Sequence, residues 1–137
     1  MSEADTNALI ERYIAAFNAG DSEGMLACLT EDVAHDLNEG GREIGKDKFR
    51  LFNGMMSKHY HETLADVVIM VGQGGTRAAA EFTVHGKYLA TAEGLPEANG
   101  QRYTLPAGIF FDIDDGKISR VTTYYNLAEW TAQVSKG

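Results

Sequence analysis

The chain has 137 residues, 44% apolar and 23% charged, the composition of one globular domain rather than of a disordered segment. Twelve basic residues against 20 acidic give a net charge of −8, which lacks the basic footprint that nucleic acid or an anionic membrane needs. No apolar run reaches transmembrane length, and the acidic start Met1 to Asp5 lacks a signal peptide's basic and apolar regions, so a cytoplasmic protein is expected.

The first helix opens near Ser2 to Asp5, whose S-x-x-D spacing suits a capping box. Leu9, Ile10, Tyr13, Ile14 and Phe17 follow the 3.6-residue period, so Tyr13 points where the core-facing residues point. Gly20 ends this helix, and Asp21 can cap a second one carrying Met25, Leu26 and Leu29. The one cysteine, Cys28, reads as a buried inert thiol beside Met25 and Leu29, and no internal disulfide is possible. Val33 to Asn38 alternates as a short strand, with Val33, His35 and Leu37 on one face and Ala34, Asp36 and Asn38 on the other. Glu39-Gly40-Gly41 is a turn, and a third helix runs from Lys46 to Lys58.

The second half reads as strands: Leu64 to Val71, Arg77 to Leu89, Arg102 to Ile113 and Lys117 to Tyr125, the last two joined by an Asp114-Asp115-Gly116 hairpin turn. A final helix opens at Asn126, an N-cap with Glu129 three residues on. The strand from Arg102 to Ile113 is apolar on both faces: Leu105, Ala107, Ile109, Phe111 and Ile113 alternate with Thr104, Pro106, Gly108 and Phe110. A half-exposed antiparallel strand should show one polar face, so a second subunit is expected over the outer one, as a homodimer. Helices followed by a curved antiparallel sheet predict a single α+β domain over residues 1–137, with no repeat and no linker.

The segment from Ile10 to about Asp32, with its Tyr13 and its Asn18-Ala19-Gly20-Asp21 stop, resembles the start of bacterial ketosteroid isomerases. The resemblance is to the nuclear transport factor 2-like (SnoaL-like) superfamily, and most closely to its ketosteroid isomerase-related group. It implies a cone: a curved sheet wrapped around the N-terminal helices with an apolar pocket inside. In those isomerases an aspartate moves a proton while a tyrosine and a protonated aspartic acid donate to the enolate oxygen. Tyr13 matches the tyrosine. An ungapped count from Tyr13 puts the base on Leu37, with Asp36 one residue early, and a count back from Phe110 and the Gly116-Lys117 turn puts the second acid on Gly108, which has no side chain to donate.

His35 is the replacement base by residue chemistry, because an unperturbed imidazole titrates near neutral pH. Asp36 is the second candidate, if a bulge turns it to the pocket face. Against these stand plainer accounts: a core histidine bonded to a backbone carbonyl, and a tyrosine used only for packing. Phe52, Met55, Met56, Phe82, Phe110 and Trp130 would form an apolar pocket wall or simply a core, Phe17 lies on the apolar stripe of the first helix, and the resemblance implies that Leu37 and Tyr125 share the pocket face. His59-Tyr60-His61 reads as a polar helix-to-strand junction rather than a metal site, since no third ligand is evident. His85 reads as surface or interface. Arg42 reads as a solvated arginine sooner than as a carboxylate clamp.

The expected function is a small enzyme without metal or organic cofactor, transferring a proton on an apolar carbonyl compound as an isomerase or cyclase does. Tyr13 would polarise the oxygen and His35 would move the proton. A non-catalytic ligand-binding or dimerisation module of the same fold is the alternative, and a hydrolase or dehydratase is a further one.

Overall fold

The computed structural model describes residues 2–136. Ser2 caps helix α1 (Glu3–Asn18) through the capping box that the spacing suggested, its hydroxyl accepting from the Asp5 N–H while Asp5 reaches back to the Ser2 N–H. Asp21 accepts from the Gly24 N–H and starts α2 (Ser22–Leu26). This helix is one turn shorter than expected. Leu29 belongs to strand β1 (Leu29–Asp36), so Cys28 sits in the turn between them, buried.

A three-residue edge strand, β2 (Arg42–Ile44), follows, then α3 (Lys46–His59) and four long strands: β3 (Tyr60–Val71), β4 (Arg77–Tyr88), β5 (Arg102–Asp114) and β6 (Lys117–Tyr125). Helix α4 (Leu127–Ser135) closes the chain, with the Asn126 side chain accepting from the Glu129 N–H. The strands form one six-stranded sheet in the order β2-β1-β6-β5-β4-β3. All neighbours are antiparallel except β1 and β6, which run parallel. This is the α+β architecture that the hydrophobic patterning predicts.

Side-chain alternation divides the sheet into an inner and an outer face. Leu105, Ile109, Phe111, Ile118 and Val121 are buried on the inner face, with Leu9, Ile10 and Ile14 of α1 also in this core. Strand β3 changes parity midway. Ala65 pairs with Thr83 and Val68 with Glu81, so Asp66 and Val67 together oppose Phe82 in a bulge. Asp66 takes φ 53 there. Before the bulge Tyr60, Glu62 and Leu64 share one face; after it, the inward set shifts to Ile69 and Val71.

Candidate active site

A cavity of about 310 Å³ lies between the inner face of the sheet and the helices. Its wall is largely apolar, and the chain supplies it from every layer: Phe17 from α1, Phe52 and Met56 from α3, Phe82 from β4, and Trp130 from α4. Leu37 and Tyr125 also line it, as the family resemblance implies. The size is that of a small-molecule site.

Tyr13 lines this cavity and is 3% exposed. Its ring packs edge-on against Phe111 with centroids 5.7 Å apart. Among the described residues nothing hydrogen-bonds its hydroxyl. Burial, with a smaller contribution from Cys28, holds the phenol's pKa well above the usual tyrosine value, so it remains an O–H donor at any physiological pH.

His35 lines the same cavity and is 5% exposed. Register explains its position: His35 pairs with Val121 of β6, which pairs with Phe111 of β5, the ring that Tyr13 touches. Tyr13 and His35 therefore belong to the same end of the cavity. The imidazole is held between Phe49 and Phe52, with centroids at 4.7 and 4.6 Å. Its Nδ1 is buried without a hydrogen-bond partner among the described residues, so the core-histidine account with a backbone carbonyl does not describe it. Burial lowers its pKa, and the opposing charges of Glu43 and Asp36 offset that only in part. The ring is thus neutral near pH 7 and able to accept a proton.

Asp36 points the other way and does not line the cavity. The pairing Ala34 to Arg120, His35 to Val121 and Asp36 to Thr122 is unbroken, and the irregularity in β1 falls before Ala34. No bulge turns Asp36 inward. On the outer face its carboxylate accepts from Arg42 Nε at 2.6 Å, Arg42 Nη2 at 3.0 Å and the Thr122 hydroxyl at 2.6 Å. The Arg42 hydrogen bonds are the main reason that its pKa falls to about 2. A carboxylate so held is a poor base. Arg42 is thereby occupied by Asp36 rather than aimed at a ligand.

Phe110 is also misplaced by the pocket-wall expectation. It shares parity with Pro106 and Gly108, so it lies on the outer face, 46% exposed, with its ring 5.7 Å from that of Tyr124. Met55 is exposed on α3 and does not line the cavity. Gly108 faces outward too. The inward neighbours of that position, Ala107 and Ile109, line the cavity without any donor. His85 is exposed, and His59 Nδ1 lies 2.8 Å from the Ala90 carbonyl. Among the described residues no group of three or more His, Cys, Asp or Glu could hold a metal ion.

One acidic residue of the cavity escaped the sequence reading: Glu62, which accepts from the Tyr103 hydroxyl at 2.5 Å. Burial raises its pKa, and the Tyr103 bond counteracts that in part. The signal was present in the alternation Tyr60, Glu62, Leu64, hidden because β3 starts four residues before the expected Leu64.

A curved sheet closed by helices over one apolar cavity defines the nuclear transport factor 2-like class of α+β cones. Within it the chain belongs to the SnoaL-like domain family, whose model matches residues 10–121. It is similar to the crystal structure of a candidate polyketide cyclase from Xanthomonas campestris pv. campestris, with 54% identity, 98% of this chain and 99% of that chain covered, and a TM-score of 0.95. A second candidate polyketide cyclase, from Silicibacter sp. TM1040, is 59% identical over 98% of each chain with a TM-score of 0.94. A nuclear transport factor 2-like protein of unknown function from Burkholderia pseudomallei K96243 shares the fold at 20% identity, with 98% of this chain and 99% of that chain covered and a TM-score of 0.79. No curated protein matches the chain. Among the described residues no helix is long and apolar enough to cross a membrane.

Proposed function

We propose that the chain is a small enzyme that transfers a proton on an apolar carbonyl compound, in the manner of an isomerase or a cyclase. The observation that carries this reading is a pair of polar side chains that line one cavity with no hydrogen-bond partner among the described residues: the Tyr13 hydroxyl and the His35 imidazole, whose Nδ1 is fully buried. Leaving buried polar groups unpaired costs about 1–3 kcal/mol each, a cost that a bound ligand relieves. The relatives named as candidate polyketide cyclases fit the same chemistry.

Neutral His35 accepts a proton from the carbon next to the substrate carbonyl. The electron pair of that C–H bond delocalises onto oxygen, and Tyr13 donates a hydrogen bond to the enolate oxygen that forms. The histidinium then returns the proton to a different carbon, which shifts the double bond. Alternatively the enolate carbon attacks a second carbonyl of the same molecule, and the proton goes to the new alkoxide, which closes a ring. The apolar walls exclude water and strengthen both polar interactions.

Screening enones and β-keto compounds for turnover tests this reading. His35→Gln keeps a hydrogen-bonding side chain but takes no proton near neutral pH, so turnover falls with it; full turnover in His35→Gln rules out His35 as the base. A ligand-binding module without catalysis is the second reading, favoured by Leu37, Ala107 and Ile109 in the cavity where an isomerase would place its acids. Analogue binding with no turnover of any compound supports it.

We also propose a homodimer through the outer face, where Val68, Met70, Phe110 and Tyr124 are exposed together. Sedimentation at micromolar concentration reads twice the chain mass if this is right, and the single mass if it is not.

A further inference from the structure

Glu62 has no part in the proton transfer just described, yet the fold makes room for it with care. On the inner face Gly86 stands between Glu62 of β3 and Tyr103 of β5, since it pairs with both. A Cβ at Gly86 would sit 2.1 Å from Tyr103 Cζ, so only glycine lets the Tyr103 ring cross β4 and reach Glu62. Tyr103 engages Oε2, while Oε1 carries no hydrogen bond among the described residues. The carboxyl lines the cavity and is accompanied there by Tyr60 and Tyr125, both near enough to feel its charge.

Position along the strands separates this group from the Tyr13–His35 end. Tyr103 precedes Phe111 by eight residues on β5, and Phe111 marks the row of His35. The wall between carries Leu105, Ala107 and Ile109, with Leu64 and Val84 beside them. The wall between the two groups is mostly apolar, interrupted by Thr123 beside Ile109 and by Asn38, whose Oδ1 accepts from the Tyr125 N–H. Glu62 is the cavity's one acidic residue among the described ones, and no Lys or Arg lines it to match a ligand acid.

We propose that Glu62 determines specificity at the second end of the cavity: it accepts a hydrogen bond from a hydroxyl on the ring system of a neutral, two-headed ligand whose carbonyl lies at Tyr13, and it turns away ligands that carry a carboxylate there. This rests on the placement of the carbonyl at Tyr13 proposed above. A hydroxyl donor satisfies Oε1 at no cost in charge. A ligand carboxylate would face a second acid in a low-dielectric site without a compensating cation.

Three naphthyl ketones of nearly one shape test it by calorimetry: 6-acetyl-2-naphthol, its methyl ether, and 6-acetyl-2-naphthoic acid. In the wild-type protein the naphthol binds about fivefold to a hundredfold tighter than the ether, because the ether leaves the Glu62 carboxyl oxygen without a donor, and the naphthoate binds weakest. Glu62→Leu brings the naphthol and the ether to within about threefold, the context scatter of one lost contact, and Glu62→Gln improves the naphthoate. Tyr13→Phe weakens naphthol and ether by one common factor and leaves their ratio alone. If Glu62→Leu does not fold, as read by circular dichroism, the naphthol-to-ether ratio of Glu62→Gln takes its place and must fall. Equal binding of naphthol and ether to the wild type, with Tyr13→Phe still weakening both, overturns the role of Glu62 and leaves the carbonyl site standing. Failure of all three ketones to bind at millimolar concentration overturns both.

Discussion

His35 and Asp36 are neighbours in β1, and the two faces of the strand treat them in opposite ways. Inside, His35 is packed between two phenyl rings with Nδ1 unpaired. Outside, Asp36 accepts from Arg42 and Thr122, and Arg120 continues the network by pairing with Asp112 at 2.9 Å. The outer polar groups satisfy one another and so contribute to the sheet. The inner ones are held desolvated and incomplete, which suits groups that complete their hydrogen bonding with a ligand. Titratable character alone would rank Asp36 beside His35; partner geometry separates them.

The sharpest way to break this contrast is to exchange the roles by mutation. Once a substrate is in hand, His35→Gln lowers kcat by about 10²–10⁴, the usual worth of a positioned general base. Asp36→Asn, measured alongside, leaves kcat within about threefold, since the carboxylate does not reach the cavity. A large loss in Asp36→Asn with little in His35→Gln would reverse the assignment.

Next in size is Tyr13→Phe, which keeps shape and removes one donor. The Kd of a conjugated phenol analogue rises about tenfold to a hundredfold, corresponding to roughly 1.5–3 kcal/mol for a hydrogen bond to a charged oxygen. Fluorescence or calorimetric titration reads it directly, and an unchanged Kd would return Tyr13 to packing.

Stability should show the reverse ranking. Asp36→Asn costs about 1 kcal/mol or less in urea unfolding, because Arg42 is half exposed and water screens the pair. The smallest effect is on pH dependence. The pKa of His35 is lowered by folding, so the unfolded chain binds more protons at mildly acid pH. Its contribution to stability is present above about pH 6.5, the unfolded value, and is lost as pH falls below it. Replacing His35 by Gln therefore flattens the decline of Tm between neutral and mildly acid pH. An identical decline in both proteins would show that His35 is not held neutral by burial.

Much of this contrast was legible in the chain. The 3.6-residue stripe placed Tyr13 inward, and simple alternation from Val33 placed His35 inward and Asp36 outward. Tyr125, expected on the pocket face from the family resemblance, lines the cavity together with Thr123 and Val121, which share its parity on β6. What stayed hidden has physical causes. The start of β1 reads Thr30-Glu31-Asp32, with no apolar alternation, so Leu29 looked like the end of a helix. The edge strand β2 is three residues long and too short for a pattern. The bulge at Asp66 shifts the parity of β3, so the apolar run from Leu64 to Val71 did not show which residues face inward, and Glu62 fell outside the strand altogether. Phe110 was assigned by residue type against its own parity, and its parity was the better guide.

The claim that the working groups lie inside, at Tyr13 and His35, is tested most directly by NMR of the histidine side chains in protein labelled with ¹⁵N-histidine. The chain has four histidines, and His35→Gln assigns the one that matters. Addition of the phenol analogue at neutral pH should move the imidazole signals of His35 and leave those of His59, His61 and His85 in place. Saturable binding that leaves His35 unmoved while another histidine shifts would contradict the account.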